Sequence, residues 1–122
     1  MIIDLEKGRT HVAVDIPDDH LLSVIQGKEV SPLTLDQAAG IIDRGVRDTA
    51  PPDIAHQRVA VIIPDDTRLW ARGDRFVPVI IDTLSGLGVS HDRITVIIAL
   101  GTHAQIPASR FHTLAGTQTV QK

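Results

Sequence analysis

Apolar and mostly polar positions alternate at the start of the chain: Val12, Val14 and Ile16 fall on one side, His11, Ala13 and Asp15 on the other. A period of two is the mark of a strand with one covered face. With the preceding "IIDLEK" and a turn at Lys7-Gly8, it predicts an N-terminal β-hairpin in which His11 is a solvated strand residue. Residues 16–33, "IPDDHLLSVIQGKEVSPL", hold turn formers at both ends and little periodicity between them, which predicts a loop with one short helical turn.

From Thr34 the period becomes helical. Leu35, Ala38, Ile42 and Val46 recur at the spacing of one helix face, Thr34 is a good N-cap, and Pro51-Pro52 forbids continuation. The stretch 48–53 is the candidate linker between lobes. Val59–Ile63 and Ile94–Leu100 are β-branched runs without alternation, the pattern of parallel strands buried on both faces. Between them Val77, Ile80, Ile81, Leu84 and Leu87 mark a helix that Gly88 ends, with Pro78 in or near its first turn. Strand, helix and strand make a βαβ unit. The predicted fold class is therefore α/β, a parallel-sheet βαβ core of the doubly wound type preceded by a β-hairpin. A short helix over Ala108–Ala115 and a polar tail complete the chain.

Composition narrows the function. At 122 residues and 43% hydrophobic, the chain fits one compact domain. It has no cysteine, so disulfides and thiolate metal sites are excluded. No apolar run reaches the roughly 18 residues of a membrane span, and the N-terminus lacks the basic-then-apolar order of a signal peptide. A cytoplasmic protein with no membrane partner is expected. The net charge is −3, and Arg68, Arg72 and Arg75 cluster locally. That patch is too small for a nucleic-acid footprint, and Trp70, Phe76 and Phe111 are the only aromatics available for stacking. A small anionic ligand suits the patch better.

In parallel α/β sheets, ligands bind beyond the carboxyl ends of the strands. Asp65, Asp66, Thr67 and Arg68 occupy that place after the first strand, and Gly101, Thr102 and His103 after the second. Arg68 offers a planar fork for a carboxylate or phosphate, and Thr67 a hydroxyl for the same oxygen. An aspartate near that arginine would stay ionised, orient the guanidinium and accept hydrogen bonds from a sugar or substrate hydroxyl. His103 can exchange a proton near neutral pH, and Gly101 permits close approach of backbone to ligand. The competing reading makes "DDTR" an Asx-type turn with Arg68 in a surface ion pair, and His103 a loop histidine with a satisfied ring nitrogen. His20, His56, His91 and His112 receive no role. No metal site is expected from His91, His103 and His112, whose spacing lacks the one-face pattern of ligands. Trp70 reads as a lid or packing residue, and Gly86 and Gly88 end a helix rather than open a phosphate loop.

The strand ending "VIIPDDTR", the helix and strand after it, and the closing "ALGTH" resemble the N-terminal domain of the nickel-pincer-nucleotide lactate racemase family. Members of that family show an Asp-x-Thr-Arg motif at one strand end and Gly-x-His at a later one. The resemblance carries Asp65, Thr67 and Arg68 onto the first motif and His103 onto a catalytic base. It implies a racemase or epimerase of 2-hydroxy acids. There a histidine takes the hydroxyl proton, and the nickel-pincer nucleotide accepts the hydride from C2. Asp65 and Arg68 would position either the substrate or the nucleotide. Leu69 stands where relatives usually carry proline, and Ala104 where they often carry arginine. The family's cofactor-anchoring lysine, nickel-binding histidine and second base lie beyond the equivalent of Lys122. A following C-terminal domain is thus an expected partner, and this chain alone is expected to be inactive. A stand-alone module that binds a nucleotide or small carboxylate without turnover is the other class left open.

Overall fold

The computed structural model describes residues 1–25 and 27–120, and the chain divides into two compact units, 1–32 and 33–122. In the first unit, β1 (Ile2–Lys7) pairs antiparallel with β2 (Thr10–Asp15), with Ile3 opposite Val14 and Leu5 opposite Val12. The turn is one residue later than the sequence suggested, since Gly8 and Arg9 form the loop and Lys7 still pairs with Thr10. His11 is exposed, as expected, and its Nδ1 lies 3.2 Å from Asp4. The N-terminal amine donates to the Ile16 carbonyl at 2.8 Å and to Asp18 Oδ1 at 2.9 Å, which ties down the open end of the hairpin. One 3₁₀ turn, Asp18–His20, interrupts the loop that follows.

The second unit opens with α1 (Leu35–Thr49), whose start is a complete capping box. Gln37 N–H donates to Thr34 Oγ1 at 3.2 Å, and Thr34 N–H donates to Gln37 Oε1 at 2.9 Å. Then come β3 (Val59–Pro64), α2 (Gly73–Gly86) and β4 (Ile94–Ala99). β3 and β4 are adjacent and parallel, in register from Val59 opposite Ile94 to Pro64 opposite Ala99. This is the expected α/β arrangement: a parallel βαβ core preceded by a hairpin.

Val61 and Ile63 of β3, Val77, Ile81 and Leu84 of α2, and Val89, Ile106, Leu114 and Ala115 form the buried core. α1 lies against α2, where the Thr83 hydroxyl is 2.7 Å from Asp43 Oδ1 and 2.8 Å from the Val79 carbonyl. The strands depart from expectation on one point. They are not buried on both faces: exposure alternates along each, and Ile62 (68% exposed) and Ile97 (44%) stand on an outer face that the described residues do not cover. Apolar residues at successive positions show that both faces can be buried, but not that both are.

The C-terminal part is more helical than a polar tail. The 3₁₀ turn Ala108–Arg110 leads into α3 (Phe111–Ala115), and α4 (Thr117–Val120) follows. Two glycines let this segment close on α2. A Cβ at Gly73 would lie 2.3 Å from the Leu114 carbonyl oxygen, and one at Gly116 (φ +84°) would lie 2.7 Å from the Asp74 carbonyl oxygen and 2.9 Å from Pro78 Cγ. Pro78 sits in the second turn of α2, where it cannot donate to the Asp74 carbonyl four residues back.

Candidate functional site

The two polar clusters lie at the same end of the parallel pair, because Pro64 and Ala99, the last residues of β3 and β4, stand opposite one another. Beyond Pro64 the chain tightens into a 3₁₀ segment, Asp66–Ala71, with Asp65 as its N-cap. The Asp65 carboxylate folds back over its own turn. Its Oδ1 accepts from Thr67 N–H at 3.1 Å and from the Thr67 hydroxyl at 2.5 Å. This is an Asx-type turn, so the structural reading of "DDTR" is correct as far as the backbone goes.

Beyond Ala99, a tight turn closes with His103 N–H donating to the Leu100 carbonyl at 3.0 Å. Gly101 follows Leu100 with φ +58°, and a Cβ there would meet nothing within 4 Å. Its place in the turn therefore depends on the left-handed conformation and not on a lack of space. The turn brings the His103 ring back across the strand ends, where Nδ1 contacts Asp65 Oδ2. Asp65 is 4% exposed, whereas the His103 side chain is 54% exposed, so the pair joins a buried carboxylate to an open imidazole.

The Thr67 hydroxyl, followed by the His103 ring, holds the Asp65 carboxyl down at about 2, against the opposing effect of burial. It is an acceptor-only carboxylate throughout the physiological range.

Arg68 lies at a kink inside the 3₁₀ segment (φ −122°, ψ 37°) and is exposed. It pairs with neither neighbouring aspartate: Asp65 is engaged by Thr67 and His103, and Asp66 Oδ2 is 2.7 Å from Arg110. The expectation that an aspartate beside Arg68 orients its guanidinium is therefore not met, because Asp65 and Asp66 are both directed elsewhere. The surface ion pair of the competing reading is not found either. Arg72 and Arg75 both reach Asp74, at 3.2 and 3.5 Å, while Arg68 makes no ion pair among the described residues. Asp65 and Arg68 share a cleft of about 250 Å³ walled by Ile42, Ile63, Phe76 and Ile80. Trp70 is 76% exposed, so it does not pack.

Among the described residues, no group of three or more His, Asp or Glu side chains is placed to hold a metal ion, and no helix is long and apolar enough to cross a membrane. The contact of Asp65 with His103 and the pair of Asp66 with Arg110 join residues far apart in sequence. The strand-end rule signals the first, but no local pattern signals the second.

A parallel βαβ core with a carboxylate, an imidazole and a guanidinium that is unpaired among the described residues at its strand ends defines the class: an α/β protein with a candidate small-anion site. A family comparison takes the identification further, since the model of the lactate racemase N-terminal domain matches residues 7–122. The chain belongs to that family. No curated protein matches it significantly.

Proposed function

We propose that this chain supplies the carboxylate-binding and proton-transfer groups of a 2-hydroxy-acid racemase or epimerase. The observation that carries the reading is the contact of His103 with Asp65, which joins the two motifs of the family resemblance into one arrangement beside Arg68. Arg68 holds the substrate carboxylate through its two-pronged fork. His103 takes the proton of the 2-hydroxyl as the alcohol carbon is oxidised and returns it on reduction. Gly101 sets the turn that carries His103.

By family resemblance, a nickel-pincer nucleotide supplies the hydride acceptor when bound. The described residues do not fit a nickel site, having no cluster of potential ligands. In this reading the groups that this chain contributes, Arg68 and His103, act on the substrate's carboxylate and hydroxyl.

Calorimetry of the purified chain against lactate, against acetate and against nicotinic acid mononucleotide tests the reading. Binding of lactate in preference to acetate supports it. Binding of the nucleotide alone supports a non-catalytic nucleotide module instead, and no binding of any of the three counts against a ligand site on this chain.

A further inference from the structure

We infer that Asp65 and Thr67 are positioning residues: together they fix His103 with its proton on Nδ1 and leave Nε2 as the reacting nitrogen. This deepens the reading of His103 as the proton-transfer group and rests on it for its catalytic meaning. The tautomer itself does not depend on that reading.

A carboxylate has about four lone-pair positions. Two of those on Asp65 are filled by the Thr67 N–H and hydroxyl, both on Oδ1, and a third by His103 Nδ1 on Oδ2. At 4% exposure the group offers almost no surface to a ligand. Two donors from one residue on a single oxygen also fix the rotation of the carboxylate. Oδ2 is thereby aimed across the strand ends at His103.

An ionised carboxylate cannot donate, so the shared proton belongs to Nδ1, and Nε2 keeps its lone pair. The ring is more than half exposed while Nδ1 is engaged with a buried group. A backing carboxylate of this kind orients an imidazole in catalytic and metal sites alike.

The same geometry makes Asp65→Asn an unusually informative variant. Asparagine has one acceptor oxygen, and the two Thr67 donors claim it. The amide NH₂ then faces Nδ1, which must accept, and the ring proton moves to Nε2. The variant keeps the shape of the site but inverts the tautomer.

Long-range ¹H–¹⁵N spectra of the ligand-free chain at about pH 9, above the ordinary histidine range, read both nitrogens of His103 directly. The expected result is protonated Nδ1 in the parent and protonated Nε2 in Asp65→Asn. The same tautomer in both proteins, or protonated Nε2 in the parent, overturns the inference. If Asp65→Asn does not fold, the parent spectrum decides alone. No substrate is present, so a failure here is distinct from a failure to bind 2-hydroxy acids.

Discussion

Asp65 and His103, 38 positions apart in sequence, meet side chain to side chain at the ends of adjacent parallel strands. The register of β3 with β4 makes this possible by bringing Pro64 level with Ala99. Each strand end then turns differently. An Asx turn at Asp65 holds the carboxylate, and a left-handed Gly101 brings the histidine back to it. The result is a rigid acceptor, a fixed ring and, one turn along, an arginine that no carboxylate among the described residues neutralises.

The Arg68 fork is the first point of test. Arg68→Lys preserves the charge but replaces two parallel donors with a single ammonium. Loss of a charged hydrogen bond should weaken binding of a 2-hydroxy acid by about 1.5–3 kcal/mol. Calorimetry that gives the parent and Arg68→Lys equal affinity would show that Arg68 does not hold the carboxylate.

Acid stability should carry the signature of Asp65. Its folded pKa is about 2, below an unfolded value of about 3.9, so the unfolded chain binds the extra proton between those limits. Stability then rises with pH across that window, is fully developed above it, and is lost as pH falls toward the folded pKa. Asp43, Asp74 and Asp92 are lowered as well, so the measurement is a difference. Urea unfolding of the parent should fall more steeply than that of Asp65→Asn between about pH 4 and pH 2. Parallel curves would mean that Asp65 is not held ionised.

The glycines should separate by cause. Gly101→Ala keeps its space and meets only left-handed strain, about 1–2 kcal/mol. Gly73→Ala and Gly116→Ala place a methyl against backbone oxygens of Leu114 and Asp74, so each should cost more, because α3 must move away from α2. Chemical denaturation that ranks Gly101→Ala as the most damaging would contradict this packing.

Much of this was legible in the sequence, for reasons that particular residues make plain. Thr34 and the helical spacing of Leu35, Ala38, Ile42 and Val46 announced α1, and the β-branched runs announced β3 and β4. The strand-end rule placed Asp65 and His103 together. What the sequence does not state is which partner a side chain finds. Asp65 turned to Thr67 and His103 rather than Arg68, because the local turn puts two Thr67 donors on Oδ1 and the paired strand ends bring His103 to Oδ2. Ile62 and Ile97 looked buried, since an apolar side chain records what could cover it and not what does. Residues 117–120 looked like a polar tail because a single turn of helix is too short to show a period.

If the proposed function holds, His103 and Arg68 address the same small substrate. A titration of isotope-labelled protein with L-lactate and then D-lactate, followed at the His103 ring nitrogens and the Arg68 guanidinium, tests it most directly. Saturable shifts at both side chains with a common dissociation constant, and their joint loss in Arg68→Lys, are the expected result. Shifts confined to the apolar cavity lined by Ile98, Ile106 and Phe111, or no saturable shift at His103, would contradict it.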